Sequence, residues 1–384
     1  MELRLKYLLL LFLTGCATVA PNFIDTAIAT KPLDHGIWGI LVEDDDGTVL
    51  YARNAHALMI PASNRKLFAA TTIATCLPLD ARLATNLYLD DNNLVIAGDG
   101  DPSLGAARYA RENDFDGIAD LLRARGITRV HDIVADVSHF DRIRVPAGWK
   151  FGNLTSGYSA PVDAIAWSEN AIGDDAVPDP ALFAATALRD ALVARGIAVD
   201  GTLRTETAPH EWRDRIATLE SPFVSQLLTT VLKNSQNLYA EMLLKRAADG
   251  TYAGAFDRER RTLQDLGIDD AEFRFVDGSG LAPDDLVTPA STVKLLRWMN
   301  DPSRRGFWWS VLATPAQEGT LRRRLVTLET RMRGKTGTLN GVNALSGILA
   351  MPNGRFRYFA IVVNHHLADD ATTTIDAIVE QIAR

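Results

Sequence analysis

The chain has 384 residues, of which 47% are hydrophobic and 23% are charged, an ordinary composition for a globular protein of two or three domains. Its 40 Lys and Arg residues and 48 Asp and Glu residues leave a formal net charge of -8. Nucleic acids and anionic lipids attract basic surfaces, so this charge balance argues against a nucleic-acid partner.

The first sixteen residues have the pattern of a bacterial export signal. Arg4 and Lys6 precede an apolar run at 8–13, which is too short to span a bilayer of about 30 Å as a mature helix. The run ends in Leu13-Thr14-Gly15-Cys16, which resembles a lipobox, the motif whose cysteine is lipidated. An ordinary signal peptide with an incidental cysteine is the alternative. We expect residues 1–16 to hold a lipoprotein signal peptide and lipobox, with Cys16 as the lipidation site.

The next segments predict a tether, a hairpin and a helix. Residues 17–33 lack a clear periodicity and are expected to act as a tether. Apolar runs at 36–42 and 48–51 flank a turn rich in Asp and Gly, which predicts an antiparallel hairpin. Pro61 then introduces an Ala-rich segment that reaches Ile73 and has polar residues at its start, a pattern that predicts a helix.

Residues 78–207 have shorter predicted elements than the rest of the chain, which indicates a separate small α/β domain inserted into the first. Strand-like pieces at 94–97 and 133–137 are separated by Gly, Asp and Pro, and helical stretches lie at 117–125 and 180–195.

Longer elements resume after the insertion. Helices are predicted at 222–248, 289–299 and 372–383, and strands at 331–334, 344–350 and 356–364. The two ends of the chain thus supply a hairpin, more strands and flanking helices to one layered α+β domain, made of residues 34–77 and 208–384.

Ser63 and Lys66 lie three positions apart at the start of the first predicted helix, so their side chains share one face. The pair suits a serine nucleophile with a lysine base. An ordinary lysine pKa of about 10.4 makes a poor base near neutral pH, so burial or positive neighbours must lower it. Lys335 and the helix N-terminus are the neighbours expected to do so. Alone, Ser-x-x-Lys is weak evidence, because it recurs by chance on solvated helices.

A second candidate motif is Ser235-Gln236-Asn237. The hydroxyl of Ser235 can relay a proton to a leaving amine, and the amide of Asn237 can hold a substrate carbonyl. A polar helix start or a turn is the alternative interpretation, because Ser and Asn are common there.

Lys335-Thr336-Gly337-Thr338 follows a strand-like stretch and forms the third motif. A lysine and a hydroxyl beside a glycine on a strand can bind a carboxylate, and the missing side chain lets a substrate backbone come close. The alternative is a surface turn.

Together, Ser-x-x-Lys, Ser-x-Asn and Lys-Thr-Gly mark penicillin-binding proteins and serine β-lactamases. From about Gly36 to its C-terminus the sequence resembles class C low-molecular-mass penicillin-binding proteins, the D-alanyl-D-alanine carboxypeptidase and endopeptidase family. Further similar segments are Gly98-Asp99-Gly100-Asp101-Pro102, Asp136-Val137-Ser138-His139-Phe140-Asp141, Asp277-Gly278-Ser279-Gly280-Leu281 and Gly319-Thr320-Leu321. The resemblance implies the transpeptidase fold of penicillin-binding proteins and serine β-lactamases, an antiparallel sheet flanked by helices, with a small inserted α/β domain.

The resemblance also implies a serine-type carboxypeptidase or endopeptidase that acts on peptidoglycan stem peptides. Ser63 would form the acyl-enzyme with Lys66 as base, and the backbone N–H groups of Ser63 and Thr338 would stabilise the oxyanion. Ser235 and Lys66 would return the proton to D-alanine, Asn237 would orient the acyl amide, and Lys335 with Thr336 would hold the terminal carboxylate. The residues expected to bind substrate are Thr336, Gly337, Thr338, Asn340, Asp136 and Phe140. β-Lactams mimic the substrate and are expected to acylate Ser63; no cofactor is expected.

Two features depart from the larger relatives. Lys66 and Ser235 are 169 positions apart, where a β-lactamase has far fewer, and class C proteins insert domains at this place. The second, nested domain of the larger members is missing here, because Ile172 is followed almost directly by Val177-Pro178. Pro283 lies near the position where many relatives have an arginine that helps to bind the peptide stem.

Other functions fit less well. A serine β-lactamase needs a base for fast deacylation, and no glutamate can be assigned to that role. A non-catalytic lipoprotein that only binds peptidoglycan needs no nucleophile. The seven histidines include no His-Glu-x-x-His motif, so no metal is assigned. We expect a periplasmic protein held to the envelope by its N-terminal lipid, and Ala17 after the cysteine favours the outer membrane by family custom.

Overall fold

A computed structural model describes residues 21–109 and 114–384, so Cys16 and the predicted signal lie outside the described residues. In chain order, the helices are α1 (Pro21–Ile28), α2 (Arg65–Cys76), α3 (Ile118–Ala124), α4 (Pro180–Ala194), α5 (Val224–Lys233), α6 (Asn237–Arg246), α7 (Tyr252–Asp265), α8 (Pro289–Met299), α9 (Arg305–Val311) and α10 (Thr372–Ile382). Over the same residues, no helix is long and apolar enough to cross a bilayer.

The strands include several short pairs. They are β1 (Ile37–Asp44), β2 (Val49–Arg53), β3 (Ala84–Asp90), β4 (Asn93–Ala97), β5 (Arg129–Val130), β6 (Ile133–Asp136), β7 (Ala171–Ile172), β8 (Asp175–Ala176), β9 (Ala198–Val199), β10 (Leu203–Glu206), β11 (Arg215–Glu220), β12 (Phe273–Arg274), β13 (Leu286–Val287), β14 (Met332–Leu339), β15 (Val342–Ala350) and β16 (Phe356–Asn364).

The larger domain is built on an antiparallel sheet in the order β14-β15-β16-β1-β2. Because side chains alternate along a strand, the sheet presents two apolar faces. Leu41 and Ile348 pack with α2 and α5 to α9 on one face, whereas Ile40 and Phe359 pack with α1 and α10 on the other. The sheet is therefore covered by helices on both faces, as the sequence predicts.

The second domain has a mixed sheet in the order β10-β6-β4-β3-β11, with its own apolar core and with helices α3 and α4. Strand β6 runs parallel to both of its neighbours, whereas β3 runs antiparallel to β4 and β11. The sheet extends past the predicted boundary at residue 207, because Arg215–Glu220 pairs with Ala84–Asp90 and covers that edge.

The predicted tether at 17–33 differs from the structure. Residues 21–28 form helix α1, which contacts α10. Ile24 and Ile28 are four positions apart, share one helix face and are buried in the core beneath it. This part of the chain is therefore packed onto the larger domain.

Most of the other predicted elements are confirmed, but the single helix expected at 222–248 is wrong. The structure has α5 and α6 instead, separated at Ser235, whose φ is 61°. A left-handed residue cannot continue a right-handed helix, so the chain turns there. Helix α8 and strand β16 have the bounds that the sequence predicts.

Candidate active site

Close backbone contacts fix the position of Ser63. It lies in a short 3₁₀ turn, Ala62–Asn64, at the start of α2. A Cβ atom on Gly280 would come within 1.9 Å of the Ala62 carbonyl oxygen, and one on Gly337 within 2.7 Å of the Pro61 carbonyl oxygen. Ser63 is thus held between strand β14 and the turn at 277–282. Both segments come this close to the Ser63 backbone because each has a glycine, with no side chain, at the point of contact.

The amine of Lys66 is completely buried beside Ser63. Its Nζ lies 3.0 Å from Ser63 Oγ and 2.6 Å from both Asn237 Oδ1 and the Ser279 carbonyl oxygen. Burial lowers the pKa of Lys66 to about 7, although the nearby carboxylates of Asp277 and Glu241 oppose this shift. The sequence suggests Lys335 and the helix N-terminus as causes. Burial, the other cause that the sequence allows, is the main one, and Arg65 is the positive neighbour that lowers the pKa further.

The second and third motifs meet across the site. Lys335 Nζ donates hydrogen bonds to Ser235 Oγ and to the Thr336 carbonyl oxygen, both at 2.8 Å. Burial, and then the nearby charge of Lys66, hold the pKa of Lys335 well below its usual range. Thr336 Oγ1 donates to Thr320 Oγ1 at 2.8 Å. The Lys335 amine and the Ser235 hydroxyl thus lie together, and an amine beside a hydroxyl can bind a carboxylate.

Asn237 connects the base to the inserted domain. Its Oδ1 accepts from Lys66, and its Nδ2 donates to the Tyr158 carbonyl oxygen at 2.6 Å. Tyr158 lies in the short 3₁₀ helix Gly157–Ser159. These two bonds fix the orientation of the amide, with the oxygen toward Lys66.

An open groove of about 540 Å³ runs past these side chains. Of the residues that the sequence singles out, Ser63, Ser235, Asn237, Thr338 and Asn340 line it. Sequence reasoning missed the other lining residues, Lys150, Asn153, Tyr158, Gly280, Leu281 and Leu339. Gly280 and Leu281 belong to the segment 277–281, which resembles the family, and this resemblance could have indicated that they lie at the site.

The expectation that Asp136 and Phe140 bind substrate is not supported by their positions. Asp136 ends strand β6, where its carboxylate accepts from Trp212 Nε1 and the Ser138 amide. Phe140 is buried in the core of the inserted domain, 4.8 Å from Lys245 Nζ to its ring centroid. Both side chains are engaged in packing and turn formation away from the groove lining.

A buried carboxylate, Asp277, shapes the turn that faces Lys66. Its Oδ1 accepts from the amides of Ser279 and Gly280, and its Oδ2 accepts from the Ala282 amide and Trp149 Nε1. Burial raises the pKa of Asp277, but these donors, Asp285 and the charge of Arg65 outweigh it, so the net shift is downward. The ionised carboxylate therefore holds the Ser279 carbonyl against Lys66.

Two more buried groups surround this turn. Glu241 accepts from the Gly278 amide at 2.8 Å, and burial followed by the charge of Asp277 raises its pKa to about 7. Arg65 makes two 2.6 Å bonds to Glu259. Across residues 21–109 and 114–384, no group of three or more His, Cys, Asp or Glu side chains is arranged to hold a metal ion.

Comparison with known proteins agrees with this geometry. The family model described as "D-Ala-D-Ala carboxypeptidase 3 (S13) family" matches residues 21–178 and 174–384. The chain belongs to this family. It is 27% identical to a D-alanyl-D-alanine carboxypeptidase of Actinomadura sp., over 94% of this chain and 84% of that one. It is 28% identical to carboxypeptidase DacB of Mycolicibacterium smegmatis, over 89% of this chain and 79% of that one.

Solved structures share the fold. Penicillin binding protein 4 of Haemophilus influenzae superposes with a TM-score of 0.82 at 20% identity, covering 94% of this chain and 97% of that one. A predatory peptidoglycan endopeptidase of Bdellovibrio bacteriovorus gives 0.61 at 17% identity, covering 90% and 92%. The predicted resemblance to class C penicillin-binding proteins and the predicted fold class are confirmed.

Proposed function

We propose that this protein is a serine-type D-alanyl-D-alanine carboxypeptidase or endopeptidase that cleaves peptidoglycan stem peptides through an acyl-enzyme on Ser63. The observation that carries the proposal is the 3.0 Å contact between Ser63 Oγ and a buried amine, Lys66, whose pKa is about 7. A neutral amine at that distance can accept the serine proton near neutral pH. The family and the names of its relatives support the substrate class.

In the first half of the reaction, Ser63 Oγ attacks the carbonyl carbon that precedes the last residue, and its proton passes to Lys66 Nζ. The amides of Ser63 and Thr338 stabilise the negative oxygen of the tetrahedral intermediate. The intermediate collapses, the peptide C–N bond breaks, and the leaving amine takes a proton from Lys66 by way of the Ser235 hydroxyl. An ester on Ser63 remains, which water hydrolyses to regenerate the enzyme.

The substrate carboxylate has a matching site. The Lys335 amine lies 2.8 Å from the Ser235 hydroxyl, and the hydroxyl of the next residue in β14, Thr336, bonds to Thr320. Since burial and the charge of Lys66 lower the pKa of Lys335, an entering carboxylate favours its protonated form and forms a charge-assisted pair. Binding of the carboxylate end thereby selects substrates with a free C-terminal carboxyl group, and β-lactams carry a carboxylate in a similar position.

The nucleophile is tested with a fluorescent penicillin. Ser63→Ala is expected to abolish covalent labelling while the circular dichroism spectrum stays unchanged, because the acyl bond forms on this hydroxyl. Ser225→Ala, on helix α5, serves as the matched control and should label like the parent protein. Full labelling of Ser63→Ala would refute the assignment. Rapid, repeated hydrolysis of the penicillin by the parent protein would favour the β-lactamase alternative.

Membrane attachment is a separate part of the proposal. Cys16 would carry the lipid and hold the enzyme on the periplasmic side of the envelope, most favourably at the outer membrane. Cys16→Ala should move the protein from the membrane fraction to the soluble fraction, since lipid attachment requires that thiol. Cys76→Ala changes the other cysteine of the chain and should leave fractionation unchanged. Unchanged membrane association of Cys16→Ala would point to a different anchor.

A further inference from the structure

A loop between strands β12 and β13 carries the Ser279 carbonyl oxygen that bonds to Lys66. The two strands pair with each other but are only two residues long each, and no residue of the loop, 275–285, belongs to a strand. The two ends of the loop therefore depend on side-chain contacts to stay together. The mechanism above gives no role to the buried residue at the end of this loop, Asp285.

Asp285 joins the two ends of the loop. Its Oδ1 accepts a hydrogen bond from the backbone amide of Val276 at 2.7 Å and a longer one from the amide of Asp277 at 3.4 Å. The whole side chain is buried. One carboxyl group thus bridges the C-terminal end of the loop to its N-terminal end, where the short ladder of β12 and β13 has stopped.

The other oxygen of this carboxyl group, Oδ2, is also buried. Within residues 21–109 and 114–384, no group is placed to donate a hydrogen bond to it. The Asp285 and Asp277 carboxyl groups are nevertheless in hydrogen-bond contact with each other. Two ionised carboxylates in contact inside a protein repel each other, and neither can donate. A single proton between them removes the repulsion and gives the buried oxygen a partner, as buried polar atoms normally have.

The surroundings of the two groups decide which of them carries this proton. Asp277 accepts from three backbone amides of the loop and from the Trp149 indole. Burial raises the pKa of Asp277, but the contact with Asp285 and these donors outweigh it, so the net shift is downward. Burial, followed by the negative charge of Asp277, raises the pKa of Asp285 well above its usual range. The proton therefore belongs to Asp285 near neutral pH.

We propose that Asp285 is a positioning residue that acts as a protonated carboxylic acid, whose Oδ2–H donates to the Asp277 carboxylate and closes the loop that contacts Lys66. This inference rests on the acyl-enzyme function proposed above and adds a residue to it. The Ser279 carbonyl oxygen lies 2.6 Å from Lys66 Nζ, so a loosened loop would change the surroundings of the proposed base.

The same loop also supports the nucleophile. The backbone of Gly280 passes so close to the Ala62 carbonyl oxygen that a Cβ atom would come within 1.9 Å of it. Ala62 is the residue before Ser63, and both lie in one 3₁₀ turn. Closure of the loop by Asp285 therefore bears on both members of the proposed catalytic pair.

The charge state of Asp285 has a measurable consequence for Lys66. Other titratable or charged groups around the loop lie on three helices: Arg65 on α2, Glu241 on α6, and Tyr252 and Glu259 on α7. An ionised Asp285 would add its charge to those of Asp277 and Glu241, which raise the pKa of Lys66. Removing that charge by substitution would then lower the pKa of Lys66, whereas replacing a neutral acid would leave it in place.

The test separates the proton of Asp285 from its charge. Asp285→Asn replaces the O–H donor with an N–H donor, whereas Asp285→Leu has a similar size but neither donates nor accepts. Asp284→Leu is the matched control, because Asp284 is the preceding residue and its side chain is exposed. Acylation by penicillin is measured from acid to alkaline pH. The infrared C=O stretch of protonated carboxyl groups is measured at alkaline pH, where Glu241, with a pKa of about 7, is ionised.

Asp285→Leu is expected to acylate about 10- to 100-fold more slowly, the scale of a small displacement of reacting groups. Asp285→Asn should regain most of this rate and keep the pH midpoint of the parent protein. Asp284→Leu should match the parent in rate and midpoint. The parent should show an infrared band of a protonated carboxyl group that is missing from Asp285→Asn.

A pH midpoint that moves to lower pH in Asp285→Asn would overturn the inference, because Asp285 would then be ionised in the parent. The same follows if the parent lacks the infrared band or if Asp285→Leu acylates at the parent rate. Should Asp285→Leu fail to fold, the midpoint and the band of Asp285→Asn decide. A parent protein that penicillin does not acylate would instead contradict the proposed function, since the infrared band reports on Asp285 without any substrate.

Discussion

Opposing influences set the charge of Lys66. Complete burial removes the ammonium from water and lowers its pKa, and Arg65 adds repulsion, whereas Asp277 and Glu241 favour the charged form. The balance leaves the pKa at about 7, compared with an ordinary value near 10.4. A base is most effective when its pKa lies close to the working pH. The surrounding carboxylates thus keep the amine from losing its proton affinity altogether.

The first prediction at this scale concerns pH. Because the neutral amine is the proposed base, acylation by penicillin should rise as the pH increases through about 7. Lys66→Arg keeps a cation that does not deprotonate near neutrality, so it should fold normally and acylate at least ~100-fold more slowly. Stopped-flow measurement of acylation between pH 5 and 9 checks both points.

Glu241 also titrates near neutral pH, so it needs its own control. Its carboxylate raises the pKa of Lys66, so Glu241→Gln should move the midpoint of the acylation profile to lower pH. If the rise in acylation rate with pH disappears in Glu241→Gln, the group whose titration causes the rise is Glu241 and not Lys66. Acylation of Lys66→Arg at nearly the parent rate would remove Lys66 from the role of base.

The residues of the three motifs were accessible from sequence, whereas several of their partners were not. Ser63, Lys66 and Ser235 recur in a recognisable order, and the structure brings them together with Asn237 and Lys335. The carbonyl oxygens of Ser279 and Tyr158 also touch the site. Every residue has a carbonyl, so no residue type signals this use. The fold has to be known before such contacts can be found.

At the scale of elements, long periodic segments were predicted well and breaks were not. Helix α8 and strand β16 have clear boundaries, with Thr288 capping and Pro289 at the helix start. The predicted helix ran across the break between α5 and α6, because apolar residues continue on both sides of it. A turn or a polar helix start was only the alternative interpretation of Ser235-Gln236-Asn237, and the φ of 61° at Ser235 shows that the chain turns there. The break has a functional consequence, since it exposes Ser235 and Asn237 to the groove.

The second prediction tests helix α1, which was expected to be part of a tether. Ile24 is fully buried against the sheet and α10, so Ile24→Ala should leave a cavity and lower the free energy of unfolding by about 2–5 kcal/mol. Phe23 is the adjacent residue and is 40% exposed, so Phe23→Ala should cost much less. Urea unfolding of the three proteins provides the comparison. Equal stability of Ile24→Ala and the parent would show that α1 is not docked.

At the scale of the whole molecule, the inserted domain takes part in building the active site. It contributes the Tyr158 carbonyl that orients Asn237 and the indole of Trp149 that bonds to Asp277. Lys245 of helix α6 is buried and pairs with Asp141 across the same junction at 2.8 Å. The sequence suggested an accessory domain. These contacts instead make the position of Lys66, the proposed base, depend on both domains.

The third prediction measures this dependence. Trp149→Phe keeps an aromatic ring but removes the N–H that donates to Asp277 Oδ2 at 2.9 Å. A hydrogen bond to a charged group contributes about 1.5–3 kcal/mol, so the free energy of unfolding should fall by roughly that amount. Acylation should also slow, because Asp277 holds the turn whose Ser279 carbonyl bonds to Lys66.

Trp309→Phe is the matched control, since its indole donates at 2.8 Å to Asn300, a neutral partner on another part of the domain. It should lose about 0.5–1.5 kcal/mol of stability and acylate at the parent rate. Both variants should therefore lose stability, but only Trp149→Phe should also acylate more slowly. If Trp149→Phe loses stability but keeps the parent rate and pH profile, the indole only packs the domains together. If the rate falls and its pH midpoint moves, the inserted domain positions the carboxylate that helps to set the charge of the base.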